Sequence, residues 1–189
     1  MSREKTTLQG YLDFVSSETG AGANEAGELV QLCTFHVGDE SYVIDIMRIR
    51  EIINPLPVTP LRRSSPLVEG VIDLREEVIP LVDLRRLLGV RIDASVGSTK
   101  HVITRVESRV VGLVVDSVGR VIIVPRSDIK PLPTLDSRRG RVLPGVINHQ
   151  GRLYLLLNIK ALLNEEGISS GALSDLHSNA LARGTDVDE

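Results

Sequence analysis

From Leu29 onward the chain alternates short apolar runs with turn residues, and the runs are rich in valine and isoleucine. Val30–Val37 (VQLCTFHV) reads as a strand, Gly38-Asp39-Glu40 as a tight turn, and Tyr42–Ile46 (YVIDI) as the returning strand. Ile46, Ile49 and Ile52 then follow at spacings of three, which predicts a helical turn or kink. Asn54–Pro60 (NPLPVTP) holds three prolines, each without an N–H, so it reads as a surface connection or edge segment. Gly70–Gly89 (GVIDLREEVIPLVDLRRLLG) predicts a strand, a charged turn, a second strand and a short helix. Past a polar break at Arg91–Ser98, HVITRV and VVGLVVDSV form another hairpin around Glu107-Ser108-Arg109. Pro125–Pro144 reads as a long loop.

The Gly70–Gly89 pattern returns 75 residues later, without a gap, as Gly145–Asn164 (GVINHQGRLYLLLNIKALLN). Gly70/Gly145, Val71/Val146, Ile72/Ile147, Leu81/Leu156, Leu87/Leu162 and Leu88/Leu163 are identical pairs. Roughly one or two identities are expected from ordinary composition. The earlier hairpin also recurs, Tyr42 aligning with Val111 at a shift of 69 residues. The second copy therefore carries six extra residues, assigned to the Pro125–Pro144 loop. Such a duplication predicts one β-rich unit built twice. Brief helices close each copy, and no long helix lies between strands, which favours small bent barrels over a parallel α/β sheet. A copy of about seventy residues is marginal alone, so the two are expected to share a hydrophobic interface. The expected organisation is a flexible leader over 1–28, a domain over 29–165 and a disordered tail over 166–189. Its first copy covers about 29–95 and its second about 100–165. In the leader, Leu8, Tyr11, Leu12 and Val15 are spaced for one short amphipathic helix.

Composition narrows the function. The hydrophobic fraction of 42% with 25% charged residues is that of an ordinary globular protein. No apolar run approaches the roughly 18 residues of a membrane span, and the start of the chain lacks a signal-peptide pattern. Cys33 is the single cysteine, so no intramolecular disulfide forms. These features predict a cytoplasmic protein without membrane insertion. A net charge of −3 and 3% aromatic residues argue against nucleic acid, whose binding wants a basic face and stacking platforms. The local basic patch Arg138, Arg139 and Arg141 is the feature that leans the other way.

Residues that could carry chemistry are scattered. His36, His101, His149 and His177 have no metal-ligand spacing, and His36 and His101 are expected as hydrogen-bonded or exposed strand residues. Cys33 reads as a small buried hydrophobe. Nucleophile elbows, phosphate loops and His-Glu-x-x-His helices do not occur. Asp73, Glu76, Glu77, Asp83 and Asp116 read as solvated turn charges and strand-end caps, with nothing to fix a second carboxylate at a useful distance. The expectation is no catalytic residue, no metal and no cofactor, hence not an enzyme.

With these elements placed, the chain resembles the CheW family of bacterial chemotaxis coupling proteins, from about Leu29 to Leu163. The resemblance is carried by Phe35-x-x-Gly38-Asp39-Glu40-x-Tyr42-x-Ile44-Asp45-Ile46 and Arg50-Glu51-Ile52. It continues in Gly70-Val71-Ile72-Asp73-Leu74-Arg75, Ile79-Pro80-Leu81-Val82-Asp83-Leu84-Arg85 and Val111-Gly112-Leu113-Val114-Val115-Asp116-x-Val118. It implies a mainly all-β fold of two small five-stranded SH3- or OB-like barrels with interleaved halves. It also implies a non-enzymatic adaptor between chemoreceptor cytoplasmic tips and the regulatory domain of a CheA-type histidine kinase. A small-ligand sensor on the same scaffold is the alternative. By the same resemblance, Arg75 matches the arginine of the family's Asn-Leu-Arg-Gly turn, on the receptor side. Ile49, Glu51, Gly112 and Val121 fall on that side too, and Leu135 on the kinase side. Here the turn is Asp73-Leu74-Arg75-Glu76, without the glycine, so a differently shaped turn is expected, with Asp73 and Glu76 neutralising Arg75.

Overall fold

The repeated hairpins close by antiparallel pairing, and each copy's central strand then pairs in parallel with a hairpin from farther along the chain. The structure, a computed structural model, describes residues 28–61, 67–90, 99–107, 109–132 and 137–165. Residues 1–27 of the expected leader, the polar break at 91–98, Leu135 and the tail lie outside these residues. The described strands are β1 (Leu29–Val37), β2 (Glu40–Asp45), β3 (Ile49–Ile53), β4 (Val68–Leu74), β5 (Glu77–Asp83) and β6 (Lys100–Val106). They continue with β7 (Arg109–Val115), β8 (Ser117–Pro125), β9 (Lys130–Pro131), β10 (Gly145–His149) and β11 (Arg152–Leu156). Short helices are α1 (Leu84–Leu87), α2 (Ser137–Val142) and α3 (Ile159–Glu165).

Two compact units result, and each takes strands from both copies. Ile49–Ser117 contributes the five-stranded sheet β3-β6-β7-β5-β4. Its core is Ile72, Leu74, Ile79, Leu81, Ile103 and Val114, with Ile53, Leu56 and Val110 packed against it. The other unit joins the chain up to Arg48 with Val118–Leu162 in a six-stranded sheet, β8-β1-β2-β11-β10-β9. Leu32, Val43, Ile122, Val124, Ile129, Ile147, Tyr154 and Leu156 fill its core. Five strands per barrel were expected; the sixth is the two-residue β9, paired with the start of β10. The fold is mainly β, as the duplication predicted.

The isoleucine spacing produces the expected helical turn, a 3-10 turn at Ile46–Arg48, and the extended segment β3 follows from Ile49, paired with β6. Two local expectations are corrected. The Pro125–Pro144 loop holds a 3-10 turn at Arg126–Asp128, β9 and α2. Pro131 ends β9, and Pro125 and Pro144 flank these pieces instead of excluding them. His101 is neither exposed nor hydrogen-bonded through Nδ1: it is buried in β6, and Nδ1 has no partner among the described residues. Burial pushes its pKa down. Cys33 is buried, as expected, and burial pushes its thiol up.

Both β-turns of the repeated unit have the same shape. Arg75 and Glu76 lie at φ 55° and 68°, and Gln150 and Gly151 at 53° and 77°. Two successive residues at positive φ match the strand twist of a tight hairpin. Without glycine at Glu76, that conformation costs about 1–2 kcal/mol. Asp73 offsets part of the cost, its Oδ1 accepting the Glu76 N–H at 3.0 Å. The turn therefore takes the same shape as the glycine-bearing turn of the second copy, and Asp73 bonds to the backbone there. Gly70 is held for another reason: a Cβ there would lie 2.2 Å from the Thr59 carbonyl oxygen. Thr59 and Val71 exchange backbone hydrogen bonds at 2.8 and 2.9 Å, tying the proline-rich segment to β4.

Candidate partner-binding site

The five-stranded sheet starts at β3 and ends at β4, so the β3 edge and the β4–β5 hairpin stand at opposite ends of the strand order. Side chains nevertheless join them. The Arg75 Nη2 group donates to Glu51 Oε2 at 3.0 Å, and Arg50 Nη1 donates to Glu77 Oε2 at 2.5 Å. The sheet must curl until its ends approach, which is the bent barrel the sequence predicts. In a flat strand, neighbouring residues point to opposite faces. Here the register of β3 against β6 slips between Ile49, opposite Thr104, and Glu51, opposite Ile103. Arg50 is the extra residue of this bulge, and a bulge re-aims side chains. Arg50 and Glu51 thereby both reach the hairpin.

The two pairs differ in exposure. The Arg75 side chain is 74% exposed against 19% for Glu51, whereas Arg50 and Glu77 are 35% and 36% exposed. An exposed pair contributes about 0–1 kcal/mol of stability. Glu51 therefore does little to hold the fold, but it sets the direction of a guanidinium that stands in solvent on a tight turn. Such a group can make bidentate bonds to a carboxylate or bond to carbonyls of a partner. Asp73 and Glu76 do not neutralise Arg75, as had been expected; its carboxylate is Glu51 from across the sheet.

The structure brings together Glu51 and Arg75 of the residues assigned from sequence. Ile49 is half-buried beside them at the start of β3. Gly112 is buried in β7 opposite Leu81, and a Cβ there would lie 2.3 Å from Leu81 Cδ2. Gly112 thus makes room in the sheet interior and presents no surface of its own. Val121 belongs to the other unit, on the edge strand β8, where it is exposed together with Ile123. Leu135 lies outside the described residues. Sequence reasoning missed the role of Arg50 and Glu77. The alternating charges Arg50-Glu51 were visible, but the bulge that turns both the same way was not.

A second cluster extends the reading of the acidic residues. Asp83, read as a strand-end cap, is fully buried and accepts from Arg85 Nε and Nη2 at 2.9 and 2.8 Å. Its Oδ1 also accepts the Arg85 backbone N–H, capping α1. Arg85 Nη1 reaches Asp116 at 3.5 Å. Burial first, then the Asp83 charge, pushes Glu69 above the usual carboxylate range. Carboxylates do converge, around Arg85, and the arrangement is that of a buried ion-pair network that ties β5 to β7.

Comparison with known proteins agrees with this architecture. Residues 31–167 match the family model described as CheW-like domain. The chain is 37% identical over 139 residues to the chemotaxis protein CheW of Rhizobium meliloti (strain 1021), covering 72% of this chain and 88% of that protein. It is 35% identical over 136 residues to the chemotaxis protein CheW of Treponema pallidum (strain Nichols), covering 69% and 79%. The crystal structure of the scaffolding protein TtCheW from Thermoanaerobacter tengcongensis has the same fold, with a TM-score of 0.65 at 22% identity, over 72% of this chain and 93% of that one. The matched residues run through both sheets, and the chain belongs to the family of CheW-like domains.

Proposed function

We propose that this protein is a non-enzymatic cytoplasmic scaffold of chemotaxis-type signalling. It couples chemoreceptor cytoplasmic tips to the regulatory domain of a CheA-type histidine kinase. The observation that carries this reading is the Arg75 guanidinium, exposed on a tight turn and aimed by Glu51, in a chain of this family. Arg75, Glu51 and Ile49 form the receptor side, with Gly112 letting the sheet pack behind them. Val121 adds apolar surface on β8, and Leu135 serves the kinase side. A scaffold needs surfaces of fixed shape, and two sheets with separate cores supply them.

Binding of the full chain to a receptor-tip fragment and to the kinase regulatory domain tests the proposal. Arg75→Glu is expected to weaken receptor-tip binding by roughly thirtyfold or more, the loss of a central arginine anchor. Kinase binding and the thermal midpoint stay near the wild-type values, because Arg75 is exposed. Wild-type chain that binds neither partner, or an Arg75→Glu variant that binds the tip normally, overturns the reading.

A further inference from the structure

We propose that Arg50 and Glu77 are positioning residues: they form the inner half of a two-pair clasp that holds the curled sheet in register and so aims Arg75. The inference rests on the reading of Arg75 as the receptor-side anchor. It concerns what makes that anchor rigid.

The charges of the clasp are crossed. On β3 the order is plus at Arg50 and minus at Glu51; on the hairpin it is plus at Arg75 and minus at Glu77. Arg50 meets Glu77 and Glu51 meets Arg75. The alternative pairing would place Arg50 on Arg75 and Glu51 on Glu77, and like charges directly opposite are destabilising. The pattern therefore selects one placement of the hairpin along β3, where the strands share no backbone pairing to set it. The bulge at Arg50 is what lets neighbouring residues contribute opposite charges to one seam.

Exposure divides the labour. Arg50 and Glu77 keep 35% and 36% of their side-chain surface in solvent, so neither partner stands as open as Arg75 at 74%. Arg75 is open to solvent on its outer side. The inner pair fastens the seam, and the outer arginine keeps donors for a partner. The fold itself does not demand the inner pair. By the shifts of the duplication, Gly119 stands in the other sheet where Arg50 stands here, and Arg152 where Glu77 stands. A side chain at Gly119 would start 2.4 Å from Thr34 Oγ1, so that sheet has no room for the arginine.

The test uses the full chain and reads Arg75 directly, through the NMR order parameter of its Nε–Hε group. Arg50→Gln and Glu77→Gln are the amide variants, and R50K is the charge-conserving one. R50K leaves the crossed order of charges on both sides of the seam intact. Each amide variant is expected to loosen Arg75 to the order parameter of a freely exposed arginine and to weaken binding of a receptor-tip fragment about three- to tenfold, as the loss of preorganisation implies. R50K keeps both near the wild-type values, because the pairing that selects the placement survives in it. An Arg75 that stays ordered in both amide variants overturns the proposal, as does an R50K chain in which Arg75 is as loose as in Arg50→Gln. Thermal midpoints of the amide variants within a few degrees of wild type show that the seam, not the fold, has changed. Loosened Arg75 with unchanged tip binding confirms the clasp and instead removes Arg75 as the anchor.

Discussion

The two curled sheets carry the same hairpin in the same place, and they fasten it differently. In the five-stranded sheet Glu51 accepts from Arg75; in the six-stranded sheet the equivalent residues are Arg120 and Gln150, and Arg120 Nη2 donates to Gln150 Oε1 at 2.8 Å. The contact persists while the charges change sides and one of them vanishes. Closing a hairpin against an edge strand therefore needs a hydrogen bond at this position, not an ion pair and not an arginine on the turn. What the fold leaves free, the first sheet uses to place a cation in solvent. The same contrast appears twice inside the sheets. Asp83, buried against Arg85, stands where the other unit has Asn158, which caps α3 by accepting the Ala161 N–H at 3.1 Å. Gly112 lies beside Leu81, where the other sheet sets Val43 beside Leu156.

Making the first unit resemble the second is the direct way to break this comparison, and Asp83→Asn is the severest such change. Asn158 shows that an amide can cap the helix, but it leaves Arg85 without its main counter-charge in a buried place. Breaking a buried pair from one side costs about 3–5 kcal/mol; Asp116 remains near Arg85, so the lower end, about 3 kcal/mol, is expected. Urea unfolding measures it. A loss below about 1 kcal/mol, the range of an exposed pair, would mean that Asp83 is only a cap.

Gly112→Val is the next step down. Valine fits in the other sheet because Leu156 is placed for it, whereas Leu81 Cδ2 occupies the space where the new Cβ would sit. Leu81 is fully buried and has to move into a filled core, and overpacking of this kind costs roughly 1–3 kcal/mol. The unfolding midpoint should fall accordingly. Pairing it with Leu81→Ala should recover part of the loss, since the clash and the vacated volume coincide. No recovery would show that Gly112 is needed for its backbone and not for space.

The duplication made most of this legible beforehand. Alternating valine and isoleucine positions, with glycine and charged turns between, located the neighbourhoods of eight of the described strands, and the 75-residue shift tied β4–β5 to β10–β11. Arg75 and Glu51 were singled out by resemblance, but their contact was not, because it crosses the strand order and arises only when the sheet curls. Arg50 was hidden for a related reason: a bulge depends on how two strands register, which neither strand encodes alone. α2 was missed inside a proline-bearing segment, where two prolines bracket a stretch too short for periodicity to show. The buried charges at Asp83 and Asp116 read as caps since strand ends are usually exposed. Here parallel pairing of β5 with β7 brings them under one arginine.

His101 supplies the smallest change at neutral pH and the sharpest use of the comparison. By the 69-residue shift its counterpart is Leu32, an apolar residue buried to the same degree. His101→Leu should therefore be accepted, with a gain of about 1 kcal/mol at pH 8 from removing a buried polar nitrogen that has no partner. Acid should widen the gap. Burial lowers the His101 pKa below its ordinary 6.5, so the folded chain favours the neutral ring while the unfolded chain takes up the proton first. The contribution of neutral His101 is complete above pH 6.5 and is lost as the pH falls through and below that value. Burial also raises the pKa values of Asp45 and Glu69, but these groups are common to both proteins and cancel in the difference. Urea midpoints of wild type and His101→Leu should thus diverge steadily from pH 7 to pH 5. A constant separation across that range would place His101 in contact with water or an acceptor, and the likeness to Leu32 would end there.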